Sequence, residues 1–198
     1  MKKIIKKVSI IFMLVATSFN FVVANENILS IGSENAKVTV KVFSSLTCPH
    51  CANFHNNIFE DLKKEYIDTK KVKFEHHSFP LDLAALNAEL VIRSIENKEK
   101  SFQFLNKIYE KQNQWAIGSD INIINNYIKK IGMEFGLNNE RMDKFIKDEK
   151  IQDQILNERI NAQKNYKISS TPTIFINEKK YEGKHEFKAF KKALDKII

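Results

Sequence analysis

The sequence predicts an α/β protein in which strands near both ends of the chain enclose a long helical block. Three observations carry this prediction. Val38, Val40 and Val42 alternate with residues of different character, as side chains on the two faces of a strand do. Apolar residues between positions 83 and 166 recur at spacings of three and four, which is typical of helix faces. Strand-forming residues return at 171–177, in the segment TPTIFIN.

The first part of the chain predicts a strand, a helix and a second strand. The first strand is expected at 37–45. Apolar residues from Cys51 to Tyr66 then follow helical spacing. The second strand is expected at 72–79, and Pro80 ends it, because proline cannot donate a backbone hydrogen bond to a neighbouring strand.

The central block predicts five helices, which we interpret as core packing. The third is expected to be capped by Ser119 or Asp120 and to be broken by Gly132 and Gly136. The apolar stripes of the five helices begin at Leu83, Phe102, Ile121, Met142 and Ile151.

The C-terminal part predicts a hairpin and a last helix. After the strand at 171–177, residues 178–180 are expected to form a turn that leads into a short strand at 181–183. Apolar residues on one face predict a helix at 186–198.

The first 24 residues have the three parts of a secretory signal. Lysines come first, an apolar run occupies 8–16, and Ala24 precedes the expected cleavage site. The apolar run is shorter than the ~20 residues that span a bilayer, although an uncleaved membrane anchor is the alternative. We therefore expect a signal peptide at 1–24 and export to the periplasm.

The charge pattern argues against nucleic-acid binding. The formal net charge is +8, but only three of the 32 basic residues are arginines, which are Arg93, Arg141 and Arg159. Phosphate forks and base readout favour arginine. We therefore interpret the lysines as a solvated surface and expect no nucleic-acid partner.

The only two cysteines, Cys48 and Cys51, lie in the segment LTCPHCANFH. Two cysteines do not make a disulfide scaffold in a chain of this size, and so small a loop stabilises a fold little. Structural zinc would need about two further ligands, and there is no second CxxC motif. No metal and no cofactor are expected.

The position of the pair favours redox chemistry. Cys48 falls where the first strand turns into a helix, so free backbone N–H groups and the helix dipole favour its thiolate. His50 can donate a hydrogen bond or a charge to the same sulfur. Cys51 lies on the apolar face one turn later, where it can close back on Cys48. The pattern fits a nucleophile with a resolving partner, although CxxC also occurs in zinc sites.

CPHC after a strand, then a helical block, then SSTPTIFIN, resembles the DsbA-like thiol:disulfide oxidoreductases of the thioredoxin superfamily. The segments IGSENAKVTVKVFSS and FPLD resemble this family too, and the resemblance covers most of residues 31–198. It implies a thioredoxin fold with an inserted all-helical domain. The expected divisions are a signal peptide at 1–24, a first thioredoxin part at 25–80, the inserted domain at 81–166 and a second thioredoxin part at 167–198.

The resemblance also implies features of the site. Pro172 would follow a cis peptide bond, and Thr171 would face the cysteines and offer its backbone to a substrate. One position departs from the family, because many relatives carry a buried acid where this chain has Val42. Glu75 is a possible substitute, but strand alternation places it on the face opposite His76.

The function that follows is the introduction of disulfide bonds into exported proteins by exchange through a redox-active Cys48–Cys51 disulfide, with Pro49 and His50 supporting it. The expected partners are unfolded exported proteins with free cysteines and a DsbB-like membrane protein that reoxidises the pair. Two alternatives stay open. One is a disulfide isomerase or reductase of the same fold, and the other is a redox-inert chaperone or binding module.

Overall fold

The computed structural model describes residues 28–198. The signal peptide predicted at 1–24 lies outside the described residues. From residue 28 onward, the chain has no helix that is both long and apolar enough to cross a membrane.

A five-stranded mixed sheet forms the centre of the protein, with strand order β1-β3-β2-β4-β5. Strands β2 and β3 are parallel, and every other neighbouring pair is antiparallel. Parallel neighbours need a crossover connection, which here is helical, so the predicted α/β class is confirmed. The strands are β1 (Leu29–Gly32), β2 (Val38–Ser44), β3 (Val72–Ser78), β4 (Thr173–Ile176) and β5 (Lys179–Lys180).

Strand β1 at the sheet edge was not expected from the sequence, which predicts no strand before residue 37. Leu29 pairs with His76 and Ile31 with Phe74 in the antiparallel ladder. Both apolar side chains of β1 pack against the main core. The segment was missed because four residues with two apolar positions carry too little alternation to signal a strand.

The crossover between β2 and β3 is one helical segment of mixed type. It consists of α1 (Pro49–Phe54), a π-helical stretch (His55–Phe59), α2 (Glu60–Leu62) and a second π-helical stretch (Lys63–Ile67). The predicted helix is therefore present. Its apolar residues, including Phe54 and Leu62, are buried against the sheet in the main core.

Six helices follow before the chain returns to the sheet. Five of them begin at an Asp or Asn whose side chain accepts a hydrogen bond from a backbone N–H, which is the usual N-cap arrangement. For the third predicted helix the cap is Asp120. The six are α3 (Leu83–Arg93), α4 (Lys98–Glu110), α5 (Gln112–Trp115), α6 (Ile121–Glu134), α7 (Asn139–Ile146) and α8 (Glu149–Tyr166).

The prediction that Gly132 breaks α6 is wrong, because α6 continues to Glu134. A Cβ at Gly132 would lie 2.4 Å from the sulfur of Met142. The glycine therefore allows close packing against α7 and does not end the helix. Gly136 lies just beyond the end with φ of +82°, a conformation that glycine adopts without steric cost.

The C-terminal hairpin turns earlier than predicted. Asn177 adopts a left-handed φ of +54°, which asparagine tolerates better than most residues. Phe175 therefore pairs with Lys180, and β5 occupies the predicted turn, whereas 181–183 is not a strand. The last helix, α9 (Phe187–Leu194), is shorter than the predicted 186–198.

Helices cover both faces of the sheet. Val40 and Val42 belong to the main core, which also contains the crossover helix and α9. Phe43 and Phe175 point to the opposite face and pack with Ala162 of α8. The first half of α8 packs instead on α3. The boundaries of the inserted helical domain at 81 and 166 stay a prediction.

Candidate active site

The two cysteines lie at the end of β2, where the chain enters α1. Cys48 is the N-cap residue, and Pro49 occupies the first helical position, where its missing N–H costs no hydrogen bond. Both cysteines are free thiols. Cys48 is 7% exposed and Cys51 1% exposed, so the first sulfur is the more accessible of two buried ones.

Cys48 is surrounded by hydrogen-bond donors. The Cys51 thiol donates a hydrogen bond to its sulfur, and this is the largest influence on the pKa of Cys48. Thr171 and the backbone N–H groups of Cys51 and His50 act in the same direction. Together they outweigh burial and lower the pKa of Cys48 to about 5. The Cys48 thiolate is therefore the main form at neutral pH.

Cys51 has the opposite electrostatic environment. Burial raises its pKa, and both the hydrogen bond it donates to Cys48 and the negative charge of that sulfur raise it further. Cys51 therefore keeps its proton at every physiological pH while Cys48 is ionised. The predicted assignment of Cys48 as nucleophile and Cys51 as resolving partner is consistent with these surroundings.

The second sequence motif lies directly beside the cysteines. The Thr171–Pro172 peptide bond is cis. The Cys48 sulfur lies 3.4 Å from the carbonyl oxygen of Thr171. The structure therefore brings together the CPHC and TPT segments, which are more than a hundred residues apart in the sequence.

His50 differs from the expectation that its ring interacts with Cys48. Its side chain is exposed, and within residues 28–198 only its backbone N–H acts on the sulfur. The ring instead affects His185, whose pKa is lowered by burial and by the nearby His50. His185 is partly buried and makes ring contacts with Phe54 at 6.3 Å and Tyr181 at 6.4 Å.

Two further side chains hold the loop that carries Cys48. Gln112, from α5, donates hydrogen bonds to the carbonyl oxygens of Leu46 at 2.7 Å and Cys48 at 3.0 Å. Asp82, from the FPLD segment, accepts a hydrogen bond of 2.7 Å from Thr47. Sequence analysis missed Gln112, since a four-residue helix shows no apolar stripe.

A buried polar cluster lies deeper in the same core. His76 lies 2.8 Å from one oxygen of Glu89, and Ser78 donates a 2.9 Å hydrogen bond to the other. Burial acts to raise the pKa of Glu89, but the charges of His76 and Arg93 outweigh it and lower the pKa. Sequence analysis missed Glu89 because it lies among the apolar residues of α3, which were interpreted as packing.

Glu89 is relevant to Val42, which stands where many relatives of the DsbA-like family carry a buried acid. In the parallel ladder Val42 is the partner of His76, which holds Glu89. A buried carboxylate is therefore present near this position, although it comes from α3 and not from β2. Glu75 lies on the opposite face, where it contacts His77 at 3.0 Å, as strand alternation predicts.

The described part of the chain contains no group of three or more His, Cys, Asp or Glu residues placed to hold a metal ion.

Comparisons with known proteins agree with this geometry. The family model described as thioredoxin matches residues 24–196, which is most of the chain. The chain belongs to the thioredoxin family. Wolbachia pipientis alpha-DsbA1 superposes with a TM-score of 0.79 at 29% identity, over 87% of this chain and 91% of that one. Oxidised BdbD from Bacillus subtilis superposes with a TM-score of 0.73 at 25% identity, over 86% and 92%.

These neighbours confirm the predicted thioredoxin fold and the resemblance to DsbA-like proteins. Among sequence relatives, a putative protein-disulfide oxidoreductase of Rickettsia bellii is 29% identical over 88% of this chain and 66% of its own length. Disulfide bond formation protein D of Bacillus subtilis is 29% identical over 85% and 76%. The chain thus spans less than two thirds of the Rickettsia relatives that it matches, at 66% and 62% for two of them.

Proposed function

We propose that this member of the thioredoxin family is an exported oxidoreductase that introduces disulfide bonds into other proteins through Cys48 and Cys51. The observation that carries the proposal is the opposed pKa shift of the two thiols, lowered at Cys48 and raised at Cys51. A low-pKa thiol is a good leaving group, and a thiolate stabilised in the reduced protein makes the disulfide a stronger oxidant. The names of the Rickettsia and Bacillus relatives support the same chemistry.

The reaction would proceed in two exchanges. A substrate thiolate attacks the Cys48 sulfur, the Cys48–Cys51 bond breaks, and Cys51 takes the electron pair. A second substrate thiolate then attacks the substrate sulfur of the mixed disulfide, and Cys48 leaves as a thiolate. The substrate loses two electrons and gains a disulfide, while this protein becomes the dithiol. The backbone of Thr171, beside the Cys48 sulfur, is placed to align an extended substrate.

The partners in this proposal are unfolded exported proteins with free cysteines and a DsbB-like membrane protein that accepts the two electrons. Export rests on the signal peptide predicted at 1–24, and the periplasm is the expected compartment. An oxidising compartment suits this chemistry, because cytosolic thiols are kept reduced.

An equilibrium titration against glutathione tests the direction of the reaction. An oxidase should be mostly reduced at glutathione ratios where thioredoxin, with a potential of about −270 mV, is still oxidised. A potential as low as that of thioredoxin would favour the reductase alternative.

Two matched variants test the assignment of the cysteines. Cys51→Ala should accumulate a mixed disulfide with a peptide supplied as its disulfide-linked dimer. The Cys48 thiolate attacks the peptide disulfide, one peptide leaves as a thiolate, and no second protein thiol can resolve the new bond. Cys48→Ala should form little of this mixed disulfide, because Cys51 is buried and protonated. Full exchange activity in Cys48→Ala would contradict the assignment of Cys48 as the reactive sulfur, whereas an absence of exchange in the unchanged protein would favour a redox-inert chaperone or binding module.

A further inference from the structure

The turn between β2 and α1 contains a buried carbonyl that a distant side chain satisfies. In this turn the Cys48 N–H donates to the Ser45 carbonyl at 3.1 Å. Leu46 is 0% exposed, so water cannot reach its carbonyl oxygen. Within residues 28–198 no backbone N–H donates to that oxygen, and the Gln112 amide does so at 2.7 Å. Buried carbonyls are normally paired, so Gln112 completes the hydrogen bonding of the turn.

The same amide nitrogen also bonds to the residue that carries the nucleophile. It lies 3.0 Å from the Cys48 carbonyl oxygen. A glutamine amide nitrogen has two hydrogens, so one is available for each carbonyl. The Cys48 carbonyl is also the first acceptor of α1, with the N–H groups of Cys51 and Ala52 both at 3.1 Å. Gln112 therefore holds the backbone at the point where α1 begins.

Gln112 is itself held firmly in place. It is the first residue of α5, in which Trp115 is 0% exposed and donates its indole N–H to the Ile108 carbonyl of α4 at 2.8 Å. Thr47, between the two carbonyls that Gln112 binds, is bonded to Asp82 at the start of α3. The turn that carries Cys48 is thus fixed by two separate parts of the helical block.

The position of this turn affects the chemistry of the Cys48 sulfur. The sulfur lies 3.4 Å from the Thr171 carbonyl oxygen and is acted on by the backbone N–H groups of Cys51 and His50. Hydrogen bonds weaken steeply when they lose their alignment. A misplacement of about 1 Å at a reacting centre can slow a reaction about a hundredfold. A turn that is free to shift would therefore change both the charge and the reactivity of Cys48.

We infer that Gln112 is a positioning residue for disulfide exchange, which holds the turn so that the Cys48 sulfur stays beside the Thr171 backbone and the start of α1. This inference rests on the proposed exchange function. Gln112 acts through the backbone, and its amide takes no part in bond breaking or proton transfer.

Gln112→Met tests the inference, because methionine has a similar length and no donor. Gln152→Met is the matched control, since Gln152 donates the same kind of hydrogen bond, at 2.7 Å, to the Ile146 carbonyl at the end of α7. One measurement is the second-order rate at which each oxidised protein reacts with a peptide dithiol, by acid quench and alkylation. The other is the pKa of Cys48 in each reduced protein, by thiolate absorbance.

The two variants should differ at Cys48 and not in stability. Each loses a side-chain hydrogen bond to one or two backbone carbonyls, so both should melt at a lower temperature than the unchanged protein. Only Gln112→Met should react more slowly, by about tenfold, because its turn can shift. Only Gln112→Met should also show a raised pKa of Cys48, because the thiolate loses aligned donors.

Gln112→Glu is a second variant, which decides the question if Gln112→Met does not fold. It keeps the shape of the side chain, but an ionised carboxylate cannot donate to the two carbonyls and brings a negative charge towards the turn. The pKa of Cys48 should therefore rise further than in Gln112→Met.

Two results would overturn the inference. One is an unchanged reaction rate in the Gln112 variants. The other is an unchanged pKa of Cys48 in them, since the sulfur would then have kept its surroundings and Gln112 would be structural. An unchanged protein that does not react with the peptide would instead overturn the proposed function. The pKa of Cys48 in the reduced variants would still show whether Gln112 positions the sulfur.

Discussion

The mouth of the site around Cys48 and the floor around Cys51 are one helical turn apart and have opposite chemistry. At the mouth, backbone N–H groups and the Cys51 thiol stabilise negative charge on Cys48. At the floor, burial opposes charge on Cys51, and Cys51 and Glu89 both act electrostatically on the hydroxyl of Tyr109, which belongs to the same core as Cys51. The difference shows that the position of each cysteine on α1, at its N-cap or within its first turn, sets the chemistry of two identical side chains.

The contrast also explains why both surroundings are needed. A mouth that stabilises a thiolate makes Cys48 easy to attack and easy to release. A floor that disfavours a thiolate ensures that Cys48 and not Cys51 carries the charge in the reduced protein. If both cysteines had the same surroundings, substrate could become attached to either sulfur.

The largest expected effect is on alkylation. In the reduced protein at pH 7, Cys48 should react with iodoacetamide over a hundredfold faster than Cys51, because only Cys48 is a thiolate and it is the more exposed of the two. A short pulse followed by peptide mass analysis measures both rates. The denatured protein is the control and should label both cysteines equally. Equal labelling of the folded protein would show that mouth and floor do not differ.

The second effect concerns the floor itself. Glu89→Ala should lower the free energy of unfolding by about 3 kcal/mol, because it leaves the buried His76 ring and the Ser78 hydroxyl without their hydrogen-bond partner. Glu75→Ala is the matched control on the other face of the sheet, where the carboxylate is 14% exposed and pairs with His77. That change should cost no more than about 1 kcal/mol. Urea unfolding of both variants checks the difference, and equal losses would contradict a special role of the floor.

A third effect links the mouth to redox state. The pKa of Cys48 in the folded dithiol is about 5, below the unfolded value of about 8.5. Its contribution to stability is therefore fully present above pH 8.5 and is lost as pH falls through 5. At pH 7, after allowance for solvent screening, it is on the order of 2 kcal/mol. The disulfide form carries no such charge.

Thermal melts of both redox forms check this effect. The reduced protein should melt at a higher temperature than the oxidised protein at pH 7, and the gap should shrink towards pH 5. Above pH 8.5 the raised pKa of Cys51 acts against the reduced form, because the unfolded chain then loses a proton that the folded chain keeps. A disulfide form that melts higher at pH 7 would argue for a structural bridge or a reductase.

The mouth was more predictable from sequence than the floor. A helix start after a strand, occupied by CPHC, places Cys48 among backbone N–H groups whatever the rest of the fold does. The floor depends on tertiary contacts, since Glu89 and Tyr109 lie on helices 35 or more residues away from the cysteines. From the sequence alone, a polar residue at a buried position of those helices cannot be distinguished from one at a solvent-facing position. Glu89 and Tyr109 could therefore be assigned only once α3 and α4 were seen to pack against the sheet and α1.

The same reasoning applies to the elements that were wrongly predicted. The spacing of apolar residues predicted the six helices of eight or more residues, because each has apolar side chains along a buried face. These helices are α3, α4, α6, α7, α8 and α9. It could not show whether Gly132 ends a helix or admits the Met142 side chain, since that depends on which helix packs there. Likewise, the turn at Asn177 depends on pairing between Phe175 and Lys180, which the local sequence does not specify.

The smallest expected effect is that of His50→Ala at the mouth. The backbone N–H of residue 50, which acts on the Cys48 sulfur, remains in the variant, and only an exposed ring is lost. The pKa of Cys48, measured by thiolate absorbance, should therefore rise by less than about one unit. Because an exposed ring could reach the sulfur only through solvent, raising the ionic strength should abolish any such rise. The pKa of His185 should rise as well, because His50 is one of the two causes that lower it.

His77→Ala, on the opposite face beside Phe43, is the control and should leave both values unchanged. A rise of two or more units at Cys48 that persists in high salt would mean that the ring contacts the sulfur directly, and the backbone would then not be the main source of the difference between mouth and floor.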